Sequence, residues 1–435
     1  GSVSQSATIT ITGTNDAPTV SSVLTAGAVQ GSSLLYLDLL SLASDVDLND
    51  TLSLANMSAL PAGLTLTGTT LAIDPSDASF SGLGAGATTQ IVVSYDVTDG
   101  QGGVVAQTAT ITITGNSAPT AVADSLYTNA NAFTVDDFVV TANDTDADSA
   151  DVLFVSSASP ATGGYTVTDG TGVINVSGVA GDGTFTYQTD DGNGGQNTAT
   201  VTVTYVGSNS IFANSVDNIL IGGAGDDTLA GITGDDTLYG GGGADDLRGG
   251  NGADLIFGGD GSDIINGGSN SDTVSYSDKS AAVVVDLDAG TAVVSGSETD
   301  TLSNIENIIG SDYDDTLDGG GADDVNRLEG GLGDDLLTGN GDADTFVYSS
   351  VADGDDTITD FEISDNDSVD LDGLFDELGI AGVSRAEDII LTDTGTDTIL
   401  TIDGQAGFSI TFSNVDLDVV DEATFLTQID VGDES

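Results

Sequence analysis

Residues 222–275 read GGAGDDTLA, GITGDDTLY, GGGGADDLR, GGNGADLIF, GGDGSDIIN and GGSNSDTVS, six consecutive blocks of nine residues. Every block begins with glycine, carries aspartate at its sixth place and a large apolar residue at its eighth. The sixth-place residues are Asp227, Asp236, Asp245, Asp254, Asp263 and Asp272. The eighth-place residues are Leu229, Leu238, Leu247, Ile256, Ile265 and Val274. Repetition at a short fixed period predicts a solenoid.

The aspartates create an electrostatic problem for such a solenoid. If two blocks form one coil, aspartates two blocks apart stack about 4.8 Å from each other. Unit charges at that distance repel by roughly 3 kcal/mol at an effective dielectric constant of about 20. Carboxylate and carbonyl oxygens are the ligands that Ca²⁺ prefers, so we expect calcium ions to bridge the stacked turns. The expected pairs are Asp227 with Asp245, Asp236 with Asp254, Asp245 with Asp263, and Asp254 with Asp272. The alternative is a metal-free solenoid in which aspartate only forms turns.

The nonapeptide resembles the calcium-binding repeat of RTX proteins, and the resemblance implies a parallel β-roll. A second repeat region at 310–347 has Asp315, Asp335 and Asp344 at the sixth place. Its block GGGADDVNRLE is two residues too long, puts Asp324 at the ligand place and predicts a bulge. Between the two regions, 276–309 lacks the glycine pattern, and its alternating apolar residues predict a hairpin around residues 288–290.

Composition excludes several classes of function. The formal charge is −67, from 71 acidic and 4 basic residues, which argues against binding to nucleic acid or to an anionic membrane. No apolar run is long enough to span a membrane. The chain contains no His, Cys or Trp, so it lacks the residues of zinc proteases and of Ser–His or Cys–His nucleophiles. We therefore expect that the protein is not an enzyme.

The first 206 residues predict two β-sandwiches. SATITITG at 6–13, TATITITG at 108–115 and TATVTVTYV at 198–206 alternate polar and apolar residues, as strands with one solvated face do. They would close a preceding repeat (1–13) and two modules (14–115 and 116–206).

The linker TNDAP at 14–18 and the TDGQGG turn resemble the cadherin-like and Ig-like repeats of large bacterial surface proteins. That resemblance implies calcium at the start of each module, and the alternative is turn chemistry without an ion. The implied ligands are Asn15, Asp16, Asp45, Asp47 and Asp99 in the first module. In the second they are Asn116, Asp144, Asp146 and Asp191, although its linker lacks the aspartate.

The last segment, 348–435, resembles the C-terminal target region of RTX proteins that are exported by type I secretion. Its D-x-I-x-D-F element contributes Asp356 and Asp360 as further candidate ligands. The resemblance implies recognition by an ABC transporter, and a plain solenoid cap is the alternative. Short helical turns are expected near 373–378 and 422–429.

The sequence thus predicts an all-β chain. Two Ig-like or cadherin-like sandwiches precede a calcium-bound parallel β-roll (207–275 and 310–347, with the insert 276–309) and a β-rich C-terminal cap. The expected protein is a secreted, monomeric, rod-like segment of a bacterial adhesin with roles in cell adhesion and biofilm formation. Ca²⁺ is its cofactor, and the type I ABC transporter is its partner during export. Two alternatives stay open: a sugar- or peptide-binding module in the sandwiches, or a secretion and folding module for an upstream toxin or enzyme.

Overall fold

The computed structural model describes residues 15–47, 50–148, 151–294, 298–321, 325–378, 389–405, 407–415, 417 and 422–430. Almost all regular structure in these residues is β-strand, so the prediction of an all-β fold is confirmed. The chain divides into two compact units. The first comprises 1–122, 140–157 and 187–199, and the second comprises 123–139, 158–186 and 200–435. Residues 1–13, expected to end a preceding repeat, lie outside the described residues.

The first module consists of short strands and two long ones, most of them paired in antiparallel fashion. Its strands are β1 Thr19–Val20, β2 Leu24–Val29, β3 Leu35–Asp38, β4 Ala43–Ser44, β5 Ser53–Ala55, β6 Leu64–Thr67, β7 Thr70–Ile73, β8 Thr88–Thr98 and β9 Val104–Thr114. One sheet has the order β2-β9-β8-β5 and the other β3-β7-β6. Alternate residues of β8 and β9 face the core, where Ile111 and Ile113 are fully buried. The Tyr95 hydroxyl closes this core by donating to the Leu39 carbonyl at 2.9 Å.

The second module also consists mainly of strands. They are β10 Asp124–Thr128, β11 Ala132–Asp136, β12 Phe154–Thr162, β13 Thr166–Asp169, β14 Val173–Ser177, β15 Gly183–Asp190 and β16 Gln196–Tyr205. Strands β11, β14 and β13 form one antiparallel sheet in that order. A five-residue helix, α1 (Asp137–Thr141), follows β11 and was not predicted. Its stretch DFVVT is too short to show helical periodicity and contains β-branched residues that favour strands.

Strand β10 joins the second module to the roll. It pairs in parallel with β16 through Asp124–Thr128 and with β18 through Leu126–Thr128. The sandwich sheet and one sheet of the roll are therefore continuous.

The roll is built from paired short strands, two to a coil. One sheet contains β18 Ile219–Ile221, β20 Thr237–Tyr239, β22 Leu255–Phe257, β24 Thr273–Ser275, β28 Asn307–Ile309, β30 Arg327–Glu329, β32 Thr345–Val347, β34 Ser368–Asp370 and β38 Ile429–Asp430, all in parallel. The opposite sheet contains β17 Ser210–Phe212, β19 Thr228–Thr233, β21 Asp246–Asn251, β23 Ile264–Ser269, β27 Glu298–Ser303, β29 Thr316–Asp318, β31 Leu336–Thr338 and β33 Asp355–Ile358. We call these the even sheet and the odd sheet.

The register of these strands shows that one coil is two blocks. Leu229 pairs with Leu247, and Leu238 pairs with Ile256. The eighth-place residues of all six blocks are fully buried and share one core that extends from Ile211 to Ile429.

The predicted hairpin is present, and it enters only the odd sheet. Strands β25 (Val283–Asp286) and β26 (Thr291–Val294) pair with each other in antiparallel fashion. They lie between β27 and β29, whereas β28 and β30 of the even sheet pair directly.

The C-terminal part closes the roll. It contains α2 Asp372–Leu378, β35 Ile389–Asp393, β36 Thr398–Ile402, β37 Ser409–Phe412, α3 Glu422–Phe425 and the 3-10 helix Leu426–Gln428. The two predicted helical turns are thus present. Phe361, Phe412 and Phe425 pack edge to face or tilted against one another at the end of the core. Within the described residues, none of the helices has the length and hydropathy needed to span a bilayer.

Candidate metal centre

The sixth-place aspartates stack in two ladders, one beside each sheet. In each predicted pair, the backbone N–H of the aspartate nearer the N terminus donates to Oδ1 of the aspartate one coil further along the chain. The N···Oδ1 distances are 2.7 Å for Asp227–Asp245, 2.8 Å for Asp236–Asp254, 2.8 Å for Asp245–Asp263 and 2.9 Å for Asp254–Asp272. The structure therefore brings all four predicted pairs together.

Both ladders continue beyond the first repeat region. Asp263 and Asp272 donate to Asp300 and Glu306, while Asp315 donates to Asp335 and Asp335 to Asp356. On the even side, the backbone N–H groups of Asn218, Asn326 and Asp344 donate to the side chains of Asp236, Asp344 and Asp367, respectively. Sequence reasoning missed Asp300, Glu306, Asn326 and Asp367 as ladder members. Each stands two residues before a buried Leu, Ile or Val, and this spacing alone would have found them.

The overlong block corrects one predicted ligand. Asn326, two residues before the buried Leu328, occupies the ladder place that was predicted for Asp324. Asp324 itself lies outside the described residues. The two extra residues precede Asn326. Counting six places from the first glycine therefore gives the wrong ligand position, whereas counting two places back from the buried apolar residue gives the right one.

Asp360 also departs from the prediction. Its carboxylate accepts the backbone N–H groups of Gly339 and Asn340, at 3.1 and 2.7 Å, and so stabilises a turn. Asp356 of the same element is the one that joins the ladder.

The second carboxylate oxygen is the feature that indicates a cation. Inside the ladders Oδ2 is buried and accepts no hydrogen bond, although buried polar atoms are nearly always paired. Asp236, Asp245, Asp254, Asp263, Asp272, Asp335 and Asp344 share this property. Each is 2% exposed or less, so solvent does not reach these oxygens. The side-chain oxygen of Asn326 is buried without a partner in the same way.

At the ladder ends the protein itself supplies the donors. Asp227 accepts the Asn129 amide and the Gly223 N–H, both at 2.8 Å. Asp300 accepts the Tyr276 hydroxyl at 3.2 Å, and Asp367 accepts the Glu362 N–H at 2.7 Å. Asp315 is held by the backbone and hydroxyl of Ser311. Protein donors thus close these four places, while the interior oxygens and Asp356 Oδ2, at the last step of the odd side, accept no hydrogen bond.

The first-place glycines let the backbone approach these oxygens closely. A Cβ at Gly249 would lie 2.2 Å from Asp254 Oδ2 and 2.6 Å from the Gly267 carbonyl. Gly240 is similar, because its Cβ would lie 2.4 Å from the Gly258 carbonyl and 2.5 Å from Asp245 Oδ2. At Gly240 and Gly249, carboxylate and backbone carbonyl oxygens therefore lie close together, and such all-oxygen surroundings suit Ca²⁺.

Burial makes the ladder carboxyls weak acids when no cation is bound. Desolvation, with a smaller contribution from neighbouring carboxylates, raises the pKa to about 7 for Asp236, Asp263, Asp272, Asp335 and Asp344. It raises the pKa of Asp245 and Asp254 to about 6 and that of Asp356 to about 8. The backbone N–H bonds act in the opposite direction but do not cancel the effect of burial.

Two smaller acidic clusters lie in the sandwich modules. In the first, carboxylate oxygens of Asp45, Asp47 and Asp50 lie within 4.8 Å of one another. The Asp16 N–H donates to Asp47 at 2.7 Å, and the Asn15 amide donates to Asp99 at 2.7 Å. Burial and the charges of its neighbours, Asp99 among them, raise the pKa of Asp50. The five predicted residues therefore meet at one place, together with Asp50, which was missed.

The second cluster lies two residues further along than predicted. It comprises Asp146, Asp148 and Asp151, again within 4.8 Å. Asn116 donates to Asp191 at 2.8 Å, and the Ser117 N–H donates to Asp148 at 2.6 Å. Because Asp16 of the first module also uses its backbone N–H, the missing linker aspartate does not remove this contact.

Asp144 was predicted as a ligand of the second module, but this prediction is wrong because Asp144 does not join the cluster. Its carboxylate accepts the Val122 N–H at 2.6 Å and the Tyr187 hydroxyl at 3.2 Å. The matching spacing in the two modules is D-x-D-x-x-D, at 45–50 and 146–151. Both clusters contain buried oxygens without a hydrogen bond: Asp45 Oδ2, Asp50 Oδ2, Asn116 Oδ1, Asp146 Oδ2 and Asp151 Oδ2.

Three family profiles match the chain in the same order as these structural features. A cadherin-like domain profile matches residues 14–114, and a bacterial Ig domain profile matches 116–204. The RTX calcium-binding nonapeptide repeat profile matches 205–238, 212–247, 239–274, 300–325 and 323–358. The chain is therefore a region of an RTX-type protein with cadherin-like and Ig-like domains. It is a calcium-binding, extracellular repeat protein, and its cofactor is Ca²⁺.

Solved structures show only distant likeness. An endo-fucoidan hydrolase of glycoside hydrolase family 107 is 19% identical, with a TM-score of 0.23, over 44% of this chain and 29% of the hydrolase. The extracellular lipase LipA from Serratia marcescens is 20% identical, with a TM-score of 0.20, over 53% of this chain and 41% of the lipase. The human desmocollin-1 ectodomain is 14% identical, with a TM-score of 0.19, over 46% of this chain and 45% of the ectodomain. Among curated proteins, none matches the chain.

Replacing Gly249 with alanine should raise the calcium concentration needed to fold the roll. Overpacking against Asp254 and Gly267 costs about 1–3 kcal/mol of folding free energy, so more calcium is needed to reach the midpoint. Gly242→Ala is the matched control, because nothing lies closer than 3.9 Å to its added Cβ. A calcium titration followed by far-UV circular dichroism compares the two variants. Equal midpoints for Gly249→Ala and wild type would contradict the close approach.

The stability of the metal-free roll should also depend on pH. A folded-state pKa near 7 means that the metal-free roll keeps protons which the unfolded chain, with aspartate near 3.9, has released. The metal-free roll therefore loses stability as pH rises from about 4 to about 8. Lowering the pH from about 7.5 to about 5 should therefore stabilise the roll in the presence of a chelator. Far-UV circular dichroism in chelator at the two pH values checks this, and a β signal that is equal or weaker at pH 5 would refute it.

Proposed function

We propose that this chain is the calcium-dependent segment of a secreted bacterial adhesin. In this proposal calcium couples type I export to folding outside the cell and to adhesion and biofilm formation. The observation that supports it best is the row of buried, unpaired Oδ2 atoms in the ladders. Cytosolic calcium is too scarce to fill sites of the roughly 0.1–1 mM class found in extracellular modules. The repelling carboxylates would then keep the roll unfolded and able to pass through a transporter.

Outside the cell, calcium binding would supply the folding free energy. Strands such as β20 and β29 bury one side chain each, so the apolar core of their coils contributes little without the ions. The C-terminal part carries the large aromatic core of Phe361, Phe412 and Phe425, and it would leave the transporter first. Folding could start there and proceed coil by coil through the parallel strand pairs.

We propose that the sandwich clusters also bind calcium and stiffen a monomeric rod. The support comes from the two matching D-x-D-x-x-D clusters and their buried oxygens without hydrogen bonds. In each cluster, the N–H of the residue after the linker asparagine contacts the middle aspartate. An ion in the cluster would thereby hold the linker against the module that follows it.

Export and adhesion can be tested with one fusion. A passive protein is placed upstream of residues 1–435 and produced with a type I ABC transporter. A second version ends at residue 421, and a third cell line carries an inactive transporter. We expect secretion only with the complete tail and the active transporter, followed by calcium-dependent attachment of cells to a surface. Secretion without attachment would instead identify a secretion and folding module, and secretion without the transporter would refute the proposal.

Asp148→Asn tests the second sandwich site. With calcium present, the backbone amide of Ser117 should be protected from hydrogen exchange, because it donates to Asp148. The substitution should lower this calcium-dependent protection at least about tenfold. Asp169→Asn is the control, since Asp169 is exposed and lies outside the cluster. Protection of Ser117 that does not depend on calcium in the wild type would exclude an ion at this site.

A further inference from the structure

The odd-side ladder is interrupted where the hairpin enters. Strand β27 pairs in parallel with β23, but β26 and β25 then separate it from β29. On the N-terminal side of this point, each turn stacks on the next through the backbone carbonyl of the second residue of its nine-residue block. The Gly242 N–H donates to the Gly223 carbonyl at 2.9 Å, and the Asp260 N–H donates to the Gly241 carbonyl at 2.7 Å. The Gly259 carbonyl is the next in this series.

The partner of the Gly259 carbonyl is a side chain, the ammonium group of Lys279. Lys279 is one of only four basic residues in the chain, and its side chain is 5% exposed. Lysine is almost never buried unless it is paired. Its position is held by the turn at 276–279, in which the Lys279 N–H donates to the Tyr276 carbonyl at 2.9 Å. The hydroxyl of the same tyrosine binds Asp300, the next ladder residue.

One carboxylate pairs with this ammonium, and three more interact with it at longer range. Glu298 Oε2 lies 3.8 Å from Nζ. Asp263, Asp278 and Asp300 lie within electrostatic range, since the lysine partly offsets the effect of burial on the pKa of each. Asp263 and Asp300 form one ladder step, with the Asp263 N–H donating to Asp300 Oδ1 at 2.9 Å. The other carboxylate oxygen of Asp263 accepts no hydrogen bond.

We propose that Lys279 replaces calcium at the step between Asp263 and Asp300. Its ammonium supplies a positive charge near the two carboxylates. It also donates a hydrogen bond to the Gly259 carbonyl, which would otherwise face the cation or the next coil. A calcium ion bound between Asp263 and Asp300 would be repelled by this charge, which is buried and poorly screened by solvent. The lysine thus completes the first odd-side ladder at the point where the hairpin prevents further stacking.

The even side supports this assignment, because the hairpin does not interrupt it. There the Asp272 N–H donates to the Glu306 side chain, the Asn326 side-chain amide donates to the Glu306 carbonyl, and the Asn326 N–H donates to Asp344. Arg248 and Arg327 have well exposed side chains and pair with acids on the strands that carry them. Within the described residues, a buried basic side chain therefore occurs beside the interrupted ladder and not beside the continuous one.

The ion positions in the wild-type protein test the proposal directly. Crystals of the complete chain grown in saturating calcium are measured at a long wavelength, where calcium gives an anomalous signal. We expect peaks between Asp245 and Asp263 and between Asp254 and Asp272, and none between Asp263 and Asp300. An anomalous peak between Asp263 and Asp300 with Lys279 beside it would overturn the proposal.

Lys279→Gln provides a second test, with Arg248→Gln as a control of equal charge change. After equilibrium dialysis at saturating calcium, Lys279→Gln should bind one more ion per chain than the wild type, and Arg248→Gln the same number. An unchanged count in Lys279→Gln would contradict the proposal. If that variant does not fold, its count falls by several ions, and the wild-type diffraction measurement decides alone.

Discussion

The roll depends on the contact between each ladder aspartate and the coil below it. The backbone N–H of one aspartate fixes Oδ1 of the next, so the carboxylates must stack at the spacing of the strands. This leaves Oδ2 buried and without a donor along the interior of both ladders. Repulsion of roughly 3 kcal/mol per stacked pair is comparable with the gain of about 1.5–3 kcal/mol from burying one Leu or Ile. The desolvation of the carboxylates adds to this cost, so the apolar core alone cannot hold the coils together.

The surrounding structure is arranged around this constraint. At the N-terminal end, Asn129 of the second sandwich module supplies a donor to Asp227, and strand β10 continues the even sheet. At the C-terminal end, the Glu362 N–H closes the even ladder at Asp367. Inside the roll, glycine at the first place of each block allows the carboxylate to approach the backbone. The acidic residues of the ladders also contribute to the chain's formal charge of −67.

Much of this arrangement could be predicted from the sequence, because the nonapeptide pattern predicts both the fold and the ligand position. The pairing of Asp227 with Asp245 and of Asp236 with Asp254 follows from two blocks per coil. The ladder place depends on its distance from the next buried apolar residue, which is two positions. Counting from the glycines gives the same answer in regular blocks, but it fails in the long block, where Asn326 and not Asp324 has the correct distance to Leu328.

Other features could not be predicted because they depend on contacts between distant residues. Asp144 and Asp146 have equivalent local sequence surroundings, and only the packing of Asp144 against Tyr187 and Val122 separates their roles. The role of Lys279 likewise depends on the hairpin entering one sheet alone. In helix α1, tertiary packing overrides a sequence that favours strand, as the burial of Val139 and Val140 shows.

Hydrogen exchange at the ladder amides measures the central interaction itself. The backbone N–H groups of Asp236, Asp245 and Asp254 donate to carboxylates one coil above, so their protection reports whether the ladders are formed. With millimolar calcium these amides should be protected, and with a chelator at pH 7.5 they should exchange as in an unfolded chain. Full protection in the chelator would show that the stacked carboxylates hold together without the ion, and would contradict the account.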